Sequence, residues 1–221
     1  ILWNQLIYGT PPEGLDVRLS IDLDLQKKTD QLLQGNSGAI ILMKAETGEI
    51  LVMASHPTYD PNKMDVEGEA LTQDEASPLL NRATQGLYPI GSALRPLIQA
   101  EFGATQPSSS QLQIFYEKLG LLQVPAINMP VAADDKNTSL QNLKISPLQM
   151  SIAAATLSYK GIAPSPRIAT AVNTPEQGWV VLPALSQPVE VIQASAANEA
   201  ALSYIEEGKP YWSHIGQASV D

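Results

Sequence analysis

The 221-residue chain contains no cysteine, so neither disulfides nor thiolate metal ligation can contribute to its structure. Phe and Trp are scarce, at two and three residues, so the core implied by a hydrophobic content of 44% must be mainly aliphatic. No apolar run approaches the ~20 residues that a membrane helix needs; the longest, near 39–43 and 152–157, are short and flanked by polar residues. Positive charge is in deficit. Thirteen Lys and Arg against 23 Asp and Glu leave a formal charge of −10, and with no basic stripe to neutralise phosphate, nucleic acid is not expected as a partner. The excess acid reads as a solvated surface. The chain starts at Ile1 with no visible signal peptide, which reads as a mature or trimmed ectodomain whose anchor, if any, has been removed. Its length suits one sizeable domain over 1–221, with 1–16 as a linker or N-terminal extension.

Residues 17–21 read as a short strand. Asp22 or Asp24 can cap a helix running to Gln34, where Gly35 stops it; Leu25, Thr29, Leu32 and Leu33 give that helix its expected buried face. Two apolar runs, 39–44 and 49–55, surround Ala45-Glu46-Thr47-Gly48 and predict a β-hairpin. Residues 56–77, with Pro57, Pro61 and the acids Asp65, Glu67, Glu69, Asp74 and Glu75, read as a long loop. Apolar residues Leu94, Leu97, Ile98 and Phe102 recur at helical spacing, and Pro96 fits only a first turn, which puts Ser92 at a helix N-terminus. Further helices are expected over 111–119, over 147–160 behind the capping box Ser146-Pro147-Leu148-Gln149, and over 198–207. Residues 168–172 and 179–182 read as a second hairpin, and 211–220 as a strand. Strands at both ends with helices between imply an α+β layer fold.

Several segments resemble penicillin-binding proteins: Val17-Arg18-Leu19-Ser20-Ile21-Asp22, Gly38-Ala39-Ile40-Ile41 through Thr47-Gly48-Glu49-Ile50-Leu51, and Met53-Ala54-Ser55-His56-Pro57-Thr58-Tyr59-Asp60-Pro61-Asn62. The strongest, Asn81-Arg82-Ala83-Thr84-Gln85-Gly86-Leu87-Tyr88-Pro89, leads straight to Gly91-Ser92. Together with the helix over 147–160 these occur in the family's order. The resemblance implies a β-lactamase/transpeptidase-like α+β fold, an antiparallel sheet flanked by helices. It also implies a place outside the cytoplasmic membrane, anchored to it in the full-length protein, and no cofactor.

In that family an S-x-x-K motif supplies the serine that attacks a D-Ala-D-Ala carbonyl or a β-lactam, with lysine as its base. Here the motif reads Ser92-Ala93-Leu94-Arg95. The spacing survives, but a guanidinium stays protonated in proteins and cannot accept the hydroxyl proton, and losing a positioned base typically costs ~10²–10⁴-fold in rate. The family's S-x-N motif falls, by comparison of helix ends at Gly120, on Ser108-Ser109-Ser110, where no Asn stands. The segment between Ser92 and this region is short for the family, implying a reduced helical subdomain. The K-T-G motif has its best counterpart in His214-Ile215-Gly216, without the lysine and threonine; the sheet strands that follow it in the family do not appear before Asp221, so the C-terminal sheet is expected to be truncated with an open edge, or completed by residues beyond this sequence or by another chain.

Each candidate also has a plainer role. Ser92 is a nucleophile or a helix cap, and Arg95 orients Ser92 or forms a structural ion pair. Ser108 and Ser110 contact substrate or belong to a polar loop and helix cap; His214 is a base for Ser92 or a solvent-facing strand residue. His56 reads as structural, and no metal site is expected. The functional expectation is a degenerate, non-catalytic or weakly active transpeptidase domain serving as a binding or scaffold module in cell-wall synthesis. The alternative is an active serine D,D-transpeptidase or carboxypeptidase, or a β-lactam-acylated sensor, using Ser92. Partners implied are peptidoglycan stem peptide or β-lactam, and cell-wall assembly proteins.

Overall fold

The computed structural model describes residues 14–134, 140 and 142–203, and the architecture is α+β with every paired strand antiparallel. Strand β1 (Val17–Leu19) pairs with β7 (Ala169–Thr174), which pairs with β8 (Gly178–Val181). The Arg18 guanidinium carbon lies 4.5 Å from the Trp179 ring centroid across this sheet. Helix α1 (Leu23–Leu33) starts as its sequence requires, because the Asp22 carboxylate accepts the amides of Asp24 and Leu25 at 3.0 Å each. Its docking differs from the periodicity reading. Leu32 is 75% exposed, and the helix is held to the next hairpin instead by Gln26, whose side-chain amide donates to Met53 O at 3.2 Å while its oxygen accepts Met53 N–H at 2.9 Å. Leu25, Thr29 and Leu33 of the expected face are half-buried, and the polar Gln26 adds the anchor that Leu32 does not provide.

The predicted hairpin is present as β2 (Gly38–Met43) and β3 (Ile50–His56), with Gly38 opposite His56. Gly48 takes φ +72°, and a Cβ there would overlap the Ser165 carbonyl. The close approach is used: Arg167 N–H donates to Gly48 O and Ile50 N–H to Arg167 O, both at 2.9 Å, tying the hairpin to the segment that enters β7.

Residues 56–77 are not one long loop. A 3₁₀ turn (Pro61–Lys63) leads into helix α2 (Met64–Gln73), so most of the acidic cluster lies on a helix. The signals were present in sequence: Asp60 accepts Asn62 N–H at 3.0 Å, Pro61 follows it, and Asp65 and Glu67 sit in the first turn of α2, where negative charge is favourable. The hydrogen bonds from the Asn62 backbone and side chain hold the exposed Asp60 carboxyl below the ordinary carboxylate range. A lowered folded pKa contributes stability above the unfolded pKa and loses it as pH falls through the folded one. The Asn62 amide resonance is therefore expected to titrate on acidification below the usual Asp range; an Asn62 signal that follows a normal Asp midpoint would contradict this.

Helix α5 (Pro147–Ser158) is the centre of the molecule, with Leu148, Gln149, Ile152, Ala153, Ala155, Thr156 and Leu157 all buried. It packs on β2 and on α6 (Ala194–Ser203), and α6 packs in turn on α3 (Arg95–Phe102). The capping box is formed, with Ser146 O–H and Gln149 reciprocally bonded. Gln149 then donates to the carbonyls of Leu121 at 3.0 Å and Gln123 at 3.1 Å, anchoring the chain that follows α4 (Ser109–Lys118). The core is aliphatic as expected, built on Ile50, Leu94, Leu119, Leu121, Leu148, Leu157 and Ile192, with Phe102 and Phe115 meeting edge-on at 5.5 Å. Two short ladders escaped the sequence reading: β4 (Tyr88–Pro89) with β5 (Lys144–Ile145), and β6 (Ile162–Ala163) with β9 (Val189–Glu190). Two-residue ladders carry no periodicity. The strand expected over 211–220 lies outside the described residues.

Candidate functional site

Ser92 does not sit at the helix N-terminus that the periodicity predicted. Helix α3 begins at Arg95, and Ser92 lies exposed in the preceding turn. The reason is Pro96. A helix capped at Ser92 would use the N–H of residue 96 for its first bond back to Ser92 O, and proline has none. The chain tightens instead: Ala93 N–H donates to Ile90 O at 3.2 Å and Arg95 N–H to Ser92 O at 3.0 Å, and the first regular helical bond is Ile98 N–H to Leu94 O at 3.0 Å. Gly91, at φ +56°, provides the reversal just before the serine. The amides of Ala93 and Arg95 are thereby committed to the turn, and Pro96 has none.

Arg95 is exposed and lines a cleft of about 1060 Å³ between α3 and α6, together with Gln99, Pro107, Glu199 and Ser203. Among the described residues no acidic side chain lies within salt-bridge distance of it. Ala93, one residue from Ser92, faces a separate apolar slot of about 350 Å³ floored by Gly38, Pro89, Ile145 and Met150. The tight turn therefore directs neighbouring positions toward different spaces.

Ser108 has a structural assignment. It is the N-cap of α4, with its hydroxyl and amide both paired to Gln111. Ser110 is an exposed residue in the first turn of the same helix. Only residues 104–107 separate Gly103, the C-cap of α3, from Ser108, so no helix intervenes between these two elements. His214 and Gly216 lie outside the described residues. Among the described residues no group of three or more His, Cys, Asp or Glu is placed to hold a metal ion, and no helix is long and apolar enough to cross a membrane.

Residues 38–102, which include Ser92 and Arg95, match the family model of the penicillin binding protein transpeptidase domain. The segment that carries Ser92 and Arg95 is thus similar to the penicillin-binding-protein transpeptidase domain. It is 40% identical over 101 residues to peptidoglycan D,D-transpeptidase MrdA of Escherichia coli K12, covering 43% of this chain and 16% of MrdA. To penicillin-binding protein 3 of Bacillus subtilis it is 33% identical over 93 residues, covering 40% of this chain and 14% of that protein. Its fold is similar to that of penicillin-binding protein A from Mycobacterium tuberculosis, solved as an imipenem acyl-enzyme complex. That comparison has a TM-score of 0.76 at 19% identity and covers 92% of this chain and 66% of the other. Penicillin-binding protein 2 of Pseudomonas aeruginosa gives a TM-score of 0.68 at 20% identity, covering 88% of this chain and 62% of its own. The transpeptidase scaffold is thus present, and this chain spans a part of the length of the proteins it resembles.

Proposed function

We propose that this chain is a degenerate transpeptidase domain of the cell-wall synthesis machinery, non-catalytic or weakly active, that serves as a binding or scaffold module. The observation that carries this reading is the Ser92–Arg95 pair. The position expected to hold a base holds a guanidinium instead, exposed on a cleft that it shares with α6, and a guanidinium cannot accept the serine proton. In the full-length protein the domain would act outside the cytoplasmic membrane and be anchored to it, with stem peptide, β-lactam or cell-wall assembly proteins as its partners.

A second reading has one observation in its favour. Ser92 is exposed and keeps its i, i+3 relation to a basic residue, so a reactive β-lactam could acylate it slowly and turn the domain into a sensor, or a D,D-transpeptidase could operate with another base. Incubation of the folded chain with a labelled penicillin, followed by intact-mass analysis and peptide mapping, separates these readings. The expected result is no adduct on Ser92 under conditions that saturate an active penicillin-binding protein. A stoichiometric adduct mapped to Ser92 and abolished by Ser92→Ala would reject the non-catalytic reading.

A further inference from the structure

At the opposite end of α1 from its N-cap, a cleft of about 910 Å³ opens between the last turn of α1, the end of β3 and the stretch after α2. We propose that this cleft binds a primary ammonium group, seated on the Asp30 carboxylate. The inference is independent of whether Ser92 reacts.

Its charge is the first argument. Asp30 and Glu75 line the cleft against one permanent cation, Arg82. That cation is already engaged. Arg82 Nη2 donates to Ala76 O at 2.7 Å, and Nη1 donates to Ser77 O at 3.0 Å and, more weakly, to Leu80 O at 3.5 Å. The guanidinium holds the wall together and forms no ion pair with either carboxylate; Asp30 Oδ1 accepts only a long bond, at 3.4 Å, from Gln26 Nε2. The C-terminal end of α1 adds to this, because its exposed carbonyls carry partial negative charge and its last turn has no basic residue to answer it.

The second argument is independent of charge counting. His56, in the lining of the cleft, is only 8% exposed, and its Nε2 is buried without a hydrogen bond. Asp30 Oδ1 lies 3.5 Å from it, too long for a good bond. A buried imidazole nitrogen left unsatisfied is costly, and here it faces the same carboxylate that would receive the ligand. An ammonium seated on Asp30 fixes that carboxylate and supplies further N–H donors next to the imidazole. Asn36, Ser37 and Thr58 offer neutral hydrogen-bonding groups for the rest of the ligand. The volume exceeds that of an ammonium ion alone and suits one carried on an amino sugar or on a lysine-type side chain.

The test uses the unmodified chain and two amine probes, D-glucosamine and Nα-acetyl-lysine amide, each beside its amine-acetylated counterpart. Titrations are followed by calorimetry and by the ring resonances of His56. At least one amine is expected to bind saturably, to move the His56 signals, and to lose at least about tenfold in affinity on acetylation, as the loss of a hydrogen bond to a charged group implies. Which amine binds identifies the source, amino sugar or peptide. Asp30→Asn is expected to cause a similar loss. Equal affinity for the acetylated and free amines, an amine isotherm without any change at His56, tighter binding of acetate than of either amine, or no binding by protein shown to be folded by circular dichroism would each overturn the proposal. If Asp30→Asn does not fold, the acetylation comparison on the unmodified chain decides alone.

Discussion

Gly161→Ala is expected to cost about 2–5 kcal/mol, the sum of a left-handed backbone penalty and overpacking against a fixed neighbour. Gly161 follows α5 at φ +74°, and a Cβ there would overlap the backbone carbonyl of Ile192. Both Val191 N–H, at 2.9 Å, and Ile192 N–H, at 3.1 Å, donate to Gly161 O, so the carbonyl cannot retreat without breaking the turn that leads into α6. For a domain of this size the melting temperature should fall by roughly 5–20 °C. Because α6 forms one wall of the cleft that holds Arg95, that wall should loosen first, visible as faster amide exchange in α6 than in α5. Gly178→Ala is the control. Gly178 also has positive φ, at +67°, but nothing lies within 4 Å of the place a Cβ would occupy, so it should carry only the backbone penalty. Equal melting temperatures for the two variants would show that the Ile192 contact contributes nothing.

Gln149→Leu is expected to destabilise by about 2–4 kcal/mol, because it leaves buried backbone groups unpaired while preserving side-chain volume. The residue is 1% exposed. Its amide nitrogen serves the carbonyls of Leu121 and Gln123, and its oxygen accepts Ser146 N–H at 3.0 Å. One side chain therefore closes the cap of α5 and fastens the segment after α4 to it. Gln149→Met should be as damaging as Gln149→Leu if hydrogen bonding rather than volume is responsible. A melting temperature within about two degrees of the parent for either variant, under roughly 1 kcal/mol for a domain of this size, would refute the network's role.

These two positions also show how much the sequence conveyed. The Ser146–Gln149 capping box and the Gly161 stop were both legible, because caps depend on neighbours three residues apart. What Gln149 does beyond the cap was not, since Leu121 and Gln123 lie more than 25 residues away. The Asp60-Pro61 start of α2 was legible in principle and was obscured by the prolines and acids that otherwise signal a loop. The placement of Ser92 followed the apolar period, whereas the missing N–H of Pro96 governed where α3 could begin. Leu32 failed as a core position for a related reason: a period assigns a face to a helix but says nothing about whether a neighbour reaches that residue.

The amino-acid sequence by itself determined the α+β character, the paired hairpins, the aliphatic core and the family resemblance, because propensities, caps and ordered motifs are local properties of the chain. It also determined that residue 95 carries a guanidinium and not a base. Only the tertiary structure decided that Arg95 faces α6 across an open cleft, that Ser108 is spent on a helix cap, and that Asp30 meets His56 beside a second cleft. Those outcomes depend on elements distant in sequence arriving at one place, and the positions at which packed helices and strands bring side chains together are set by the whole core at once.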